Sequence, residues 1–266
     1  MNEQELILTS VLKCQRVDLY AKDIDMSDSQ KQEIQKIKDR RLLGEPVQYI
    51  LNSSDFMGDP FYVDSNVLIP RPETEILVES ILNKIENEKL KNIQILDIGT
   101  GSGNIIISLA KRIESANFVA MDISKKALAV AQRNAKHHNV EAKINFISRD
   151  ILINQECLEW NKKFDIIISN PPYVRSDDIA GLSSEVQNEP RLALDGGDDG
   201  LKFYRVIAKK STNWLSDRGE VFLEIGDGQE KDIESIFCAD KSFVLKKSIN
   251  DYMNMNRILI LEKTHA

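Results

Sequence analysis

"ILDIGTGSGNIIISLA", residues 95–110, sets an apolar run directly before Gly99, Gly101 and Gly103 and a second apolar run directly after them. The first run is short enough for a buried strand and the second long enough for a helix, so the glycines occupy a strand-to-helix turn. Glycine there permits a tight turn and close approach of backbone to a ligand. A glycine triad alone is a weak signal. Here "VAMD" follows, with Asp122 ending the next strand 19 residues beyond Gly103. An acid at that place suits the two hydroxyls of a ribose, and the combination predicts a ligand that contains a nucleoside.

Outward from this turn, strands are predicted at "IQILDI" (93–98), "NFVAMD" (117–122), "KINFIS" (143–148), "FDIIIS" (164–169), "EVFLEI" (220–225), "FVLKKS" (243–248) and "RILILE" (257–262). Helical stretches such as "SKKALAVAQRNAKHHN" and "GLKFYRVIAKKSTNWL" separate most of them. The alternation implies an α/β fold, a Rossmann-like and mainly parallel sheet with helices on both faces. Upstream, "ELILTSVLK" and "SDSQKQEIQKIKDRRLLGEP" read as helices, the second opened by Ser27 and Gln30 in capping-box spacing and stopped by Gly44 and Pro46. The expected organisation is a small helical domain over 1–52, a β-hairpin linker over 53–70 and the sheet domain over 71–266. The basic run Lys36, Lys38, Arg40 and Arg41 is expected to be a solvated helix face.

With 266 residues, 42% of them apolar, the chain can bury a sizeable core. A net charge of −7 gives no global basic field, which disfavours nucleic acid as a partner and makes DNA unexpected. Cys14, Cys157 and Cys238 are odd in number and follow no metal-ligand spacing, so they are assigned to packing, and no metal is expected. The start "MNEQELILTS" has no basic leader, and no apolar run approaches the ~18 residues of a membrane span. A cytoplasmic protein with no membrane segment is the expectation.

Two ligands compete for the glycine turn. The dinucleotide fingerprint is G-x-G-x-x-G, whose helix N-terminus meets a pyrophosphate. This chain has G-x-G-x-G, and Asp97 just ahead of it suits a ligand carrying a sulfonium and an ammonium, which favours S-adenosylmethionine. The fourth strand then ends in "NPPY" (170–173), facing the same crevice. Two prolines fix their own φ, lack N–H donors and hold the preceding residues extended. Asn170 and the Pro171 carbonyl can thus accept both hydrogens of one planar amino group, with the Tyr173 ring available for stacking. No strong base is evident near Asn170, so positioning must supply much of the catalysis. His137 and His138 are expected at an exposed helix end, outside the chemistry.

Asn-Pro-Pro-Tyr after a G-x-G-x-G loop resembles the S-adenosylmethionine-dependent amino-group methyltransferases, which modify adenines of nucleic acids or glutamines of proteins. More narrowly, the chain resembles the HemK-type peptide chain release factor glutamine methyltransferases. It does so in "GEPVQYI" (44–50), "DFMGDPFYVDSNVLIPRPETE" (55–75), "LDIGTGSG" (96–103), "AMDIS" (120–124), "SNPPYV" (169–174) and "EPRLALDGGDDGL" (189–201). The resemblance implies a seven-stranded methyltransferase sheet with an antiparallel last strand, preceded by a substrate-recognition domain. It implies S-adenosylmethionine contacts at Gly99, Thr100, Gly101, Ser102, Gly103, Asp122, Asp150, Ile151 and Asn170. The substrate glutamine would be held by Asn170, Pro171, Pro172 and Tyr173, with Asn170, Pro171 and Tyr173 catalytic. Arg71, Thr74, Glu75 and Asp97 would lie near the methionine end of the donor. The implied substrate is the Gly-Gly-Gln glutamine of class I release factors. The alternatives are a ribosomal-protein glutamine, an adenine amino group, or a non-catalytic module docking on translation factors. Three departures stand out: a helical domain shorter at its N-terminus than the family pattern, Ile151 where some relatives carry tryptophan, and "DYMNMNR" (251–257) without the usual glycine.

Overall fold

The computed structural model describes residues 2–21, 25–153 and 163–264. Cys157 lies outside them; Cys14 and Cys238 are free thiols, each half-buried. The chain opens with α1 (Glu3–Leu12), α2 (Asp18–Ala21), α3 (Asp28–Leu42) and α4 (Val47–Leu51). Asn2 and Glu5 cap α1 reciprocally, and Ser27 and Gln30 do the same for α3, satisfying N–H groups that a helix start leaves unpaired. Gly44, at φ +86°, ends that helix where a side chain would be strained. Ile7, Val11, Ile34, Ile37 and Val47 form a small core of their own. Arg41 departs from the expected solvated face. Its guanidinium binds Glu3 at 2.8 Å and Glu185 at 2.6 Å, so it ties the helical segment to the far half of the chain.

A ribbon of β1 (Ser54–Phe56) and antiparallel β2 (Asp59–Phe61) follows, shorter than the expected linker. Residues 62–70 form no strand. Their backbone is fastened by side chains instead: Asn134 exchanges two hydrogen bonds with Tyr62, at 2.8 and 3.0 Å, and the Tyr49 hydroxyl donates to the Val67 carbonyl at 2.6 Å. His138 is half-buried, its ring 4.7 Å from that of Phe61, whereas His137 is exposed.

From there the chain alternates through α5 (Pro72–Glu88), β3 (Ile93–Ile98), α6 (Asn104–Arg112), β4 (Ala116–Asp122), α7 (Lys125–His137), β5 (Ile144–Ser148), β6 (Phe164–Ser169), α8 (Ser184–Gln187), α9 (Lys202–Trp214), β7 (Leu215–Glu224), α10 (Glu230–Cys238), β8 (Phe243–Asn250) and β9 (Asn256–Lys263). The sheet order is β5-β4-β3-β6-β7-β9-β8, with β9 antiparallel to both neighbours. All seven expected strands are present, in the Rossmann-like arrangement. Period-two alternation sorts the sheet's side chains: Ile95, Ile166 and Ile168 pack with Leu77 and Ile81 of α5 and Ile106 of α6. Leu96, Ile98 and Ile167 pack on the other face with Tyr204 and Ile207 of α9 and Ile233 of α10. Each fully buried side chain of this size contributes roughly 1.5–3 kcal/mol, so a one-residue slip of register would expose a whole row. Asn254 adopts φ +63° in the β8–β9 turn, the left-handed conformation that Asn tolerates better than most residues, and this accounts for a turn without glycine there.

Candidate active site

Strand order reverses between β3 and β6, and in open α/β sheets ligands bind outside the strand C-termini at such a point. Ile98 and Ser169, the last residues of the two strands, are paired, and the Ser169 hydroxyl donates to the Ile98 carbonyl at 2.8 Å. The glycine loop and "NPPY" therefore leave the sheet side by side. Gly99, Gly101 and Gly103 all have positive φ. A Cβ on Gly103 would also fall 2.7 Å from Ile107 Cδ1 and 3.1 Å from Ala131 Cβ, so that glycine lets α6 and α7 approach. At Gly99 a Cβ would meet nothing within 4 Å. The loop is held by neighbours: Met121 O accepts from the Gly99 and Thr100 N–H groups at 2.8 and 3.0 Å, and Asp122 Oδ2 accepts from Gly101 N–H at 2.9 Å. Asp122 Oδ1 accepts from Ser124 N–H at 2.8 Å. A carboxylate has about four acceptor directions, so Asp122 can anchor the loop and still receive a hydroxyl.

Asp97 lies beneath the loop at 1% exposure. Its Oδ2 accepts from the Thr100 hydroxyl at 2.7 Å, while Oδ1 has no hydrogen-bond partner among the described residues. Burial pushes this carboxyl up to about 7, against the Thr100 hydrogen bond and with a smaller push from Asp122. Burial raises Asp122 as well. Two carboxyls that titrate above their ordinary range beneath one loop mark a place where a cation is favoured.

After β6 the backbone is clamped. Val174 N–H donates to Leu194 O at 3.0 Å and Gly196 N–H returns to Val174 O at 2.7 Å. A Cβ on Gly196 would stand 2.8 Å from Pro172 O, and one on Gly200 would stand 2.5 Å from Tyr173 O, so "LDGGDDG" is glycine-rich because it packs backbone on backbone against "NPPY". Asn170 Nδ2 donates to Thr74 Oγ1 at 3.3 Å, and Thr74 Oγ1 donates to Glu224 Oε2 at 2.6 Å. Burial pushes the Glu224 carboxyl up to about 7; hydrogen bonds from Thr74 and Asn170 and the charge of Arg257 oppose the shift, and Glu73 adds to it. A strong acceptor thus lies against Asn170, both directly and through the Thr74 hydroxyl, where the sequence suggested no base.

A cavity of about 270 Å³ joins the two strand ends. Gly99, Thr100, Gly101, Ser102 and Asp122 line it from one side, with Asp150 and Ile151. Asn170, Pro171 and Pro172 line it from the other, with Arg71 and Thr74. Four expected residues are not on its wall: Gly103 and Asp97, which lie behind the loop, and Tyr173 and Glu75. Tyr173 packs with the core on the α9–α10 side, and its pKa is pushed up to about 12 by burial. Glu75 accepts from Met57 N–H at 2.6 Å and so holds the β1–β2 turn. The sequence missed Leu192 and Phe203 on the wall, and Glu189, which binds Ile69 N–H at 3.0 Å and pairs with Arg71. Glu224 was also missed, although an acid ending the apolar run "EVFLEI" repeats the signal of Asp122 after "VAMD".

A family profile described as a methyltransferase domain matches residues 89–224, and one described as the PrmC N-terminal domain matches residues 2–51. A release factor glutamine methyltransferase of Flavobacterium psychrophilum is 42% identical over 93% of this chain and 88% of its own length. That of Thermodesulfovibrio yellowstonii is 36% identical over 100% of this chain and 94% of its own. Among solved structures, a methyltransferase from Pyrococcus furiosus is similar at a TM-score of 0.56, with 18% identity, over 86% of this chain and 98% of that one.

Proposed function

The chain belongs to the release factor glutamine methyltransferase family, and from that premise we propose that Asn170 and the Pro171 carbonyl hold the target glutamine's amide. The enzyme transfers a methyl group from S-adenosylmethionine to a glutamine side-chain nitrogen. The single observation that carries the assignment is the juxtaposition of the glycine loop and Asn170–Pro171 around one cavity.

S-adenosylmethionine supplies an electrophilic methyl on a sulfonium. The residues present fit it: buried, unpartnered Asp97 Oδ1 supplies negative charge, Gly99 leaves room at the backbone, Asp122 has acceptor capacity for ribose hydroxyls, and Ile151 offers an apolar wall. The amide nitrogen is a poor nucleophile because its lone pair is delocalised into the carbonyl. Two rigid acceptors, Asn170 Oδ1 and Pro171 O, fix both amide hydrogens and so orient the nitrogen. They also stabilise positive charge developing on it, a role in which one preorganised group is worth about 100-fold or more.

We assign residues 1–52 to recognition of the folded factor, 53–70 to a linker and 71–266 to transfer. The proposed partner is a class I release factor presenting Gly-Gly-Gln, which places the reaction in the cytoplasm. No helix among the described residues is long and apolar enough to cross a membrane. Tandem mass spectrometry of such a factor, incubated with enzyme and donor, tests this. A methyl on the glutamine nitrogen is expected; methyl on nucleic-acid adenine with none on protein would overturn it. An isolated Gly-Gly-Gln peptide should be a much poorer substrate, because remote contacts orient the loop. Equal efficiency on peptide and intact factor would remove recognition from residues 1–52.

A further inference from the structure

Thr74 and Glu224, 150 residues apart, meet directly behind Asn170. Both are buried, at 2% exposure, in the angle between the first turn of α5 and the end of β7. The hydrogen bonds among the three residues have a direction. A hydroxyl has one hydrogen, and Thr74 directs it to Glu224 Oε2 at 2.6 Å. Toward Asn170 the same hydroxyl can then only accept, and it receives Nδ2 at 3.3 Å. The amide is thereby turned with its N–H groups inward and Oδ1 toward the cavity.

We propose that Glu224 and Thr74 are positioning residues that set the polarity of Asn170, so that it presents an acceptor and not a donor to the incoming amino group. The proposal rests on the assignment of Asn170 as the amide holder. An inverted Asn170 would direct N–H at N–H, repelling the substrate at the one contact that orients it. Glu224 acts on the substrate through Asn170, which it meets directly as well as by way of Thr74.

The relay needs Glu224 ionised. Glu73 from α5, Arg257 from β9, Tyr173 after β6 and Tyr204 from α9 surround it, and the Tyr204 hydroxyl donates to the Glu224 main-chain carbonyl at 2.9 Å. Its carboxyl is pushed up to about 7, chiefly by burial, so it is neutral below that pH and charged above. The neutral form can donate to Thr74, releasing the Thr74 hydrogen toward Asn170 and permitting the amide to invert. Turnover should therefore rise with pH through about 7 and level off beyond it.

The experiment is single-turnover methylation of an intact release factor from about pH 6 to 9, with calorimetric donor binding, for Thr74→Val, Thr74→Ser, Glu224→Gln and Asn170→Ala. Transfer is expected to fall roughly tenfold or more in Thr74→Val and Glu224→Gln, at little-changed donor affinity. Thr74→Ser should recover most of the rate, and Glu224→Gln should lose the acid limb. Wild-type rates in both Thr74→Val and Glu224→Gln beside an inactive Asn170→Ala would overturn the relay and leave the acceptor assignment standing. Normal transfer by Asn170→Ala would overturn both. A slow Thr74→Val without serine rescue, or an acid limb that persists in Glu224→Gln, would also overturn the relay. If Thr74→Val loses donor binding through misfolding, the near-isosteric Glu224→Gln decides alone.

Discussion

The loops after β3 and β6 leave neighbouring strands and line one cavity, yet they keep their shape by opposite means. The glycine loop removes side chains to gain unusual backbone angles, and Met121 and Asp122 at the end of the neighbouring strand then fix it. "NPPY" removes backbone freedom through its prolines and is clamped from outside by Gly196, Gly200, Thr74 and Glu224. A loop that must let a ligand come close to its backbone needs freedom in the choice of φ. One that must offer acceptors at a fixed separation needs stiffness. The donor side and the acceptor side of the cavity should thus be separable by mutation.

The largest effect is expected where the clamp on the acceptor side is disturbed. In Gly196→Ala the new Cβ would lie 2.8 Å from Pro172 O and Tyr173 Cα, both backbone atoms, so the loop must move. A shift of about 1 Å in a positioning group costs on the order of 100-fold in rate, and donor binding should persist. Equal losses of both, measured by single-turnover kinetics and calorimetry, would erase the division between the two loops.

On the donor side, Asp122→Ala should weaken S-adenosylmethionine by about 1.5–3 kcal/mol, the range for hydrogen bonds to a charged group. Part of that loss comes from the Gly101 N–H that Asp122 holds at 2.9 Å. Calorimetry with unchanged affinity would mean that the ribose is held elsewhere.

A smaller effect follows from pH. The Asp97 carboxyl, pushed up to about 7, is neutral below that pH and charged above it, and a cationic donor prefers the charged form. Donor affinity should rise by up to about tenfold per pH unit below 7 and flatten above it. In Asp97→Asn the slope should shrink; an identical slope would assign the titration to another group.

Smallest is the tie between the helical segment and the rest. Arg41→Ala deletes the pairs with Glu3 and Glu185 and should cost about 1 kcal/mol, a Tm decrease of a few degrees. A calorimetric scan with no decrease would show the bridge to be energetically idle.

The same contrast separates what the sequence revealed from what it concealed. Strand alternation, the glycine turn, Asp122 and the Ser27–Gln30 box are patterns within a few residues or one βαβ unit, and each is found where expected. The four- and five-residue helices α2 and α4 are too short to display a period. Arg71–Glu189 spans 118 residues, Arg41–Glu185 spans 144 and Thr74–Glu224 spans 150. Such pairs are created by the sheet order itself, so nothing local announces them. Tyr173 and Glu75 carry family-motif letters, but burial in the core and the β1–β2 turn decide where their side chains lie.

One loop holds the donor and the other orients the amide. That division is tested most directly by measuring donor affinity and single-turnover methyl transfer, at saturating donor and release factor, for Asn170→Ala beside Asp122→Ala. Asn170→Ala should lose at least about 100-fold in transfer with modest change in donor affinity, while Asp122→Ala should lose mainly affinity. Near-normal methyl transfer by Asn170→Ala would contradict it.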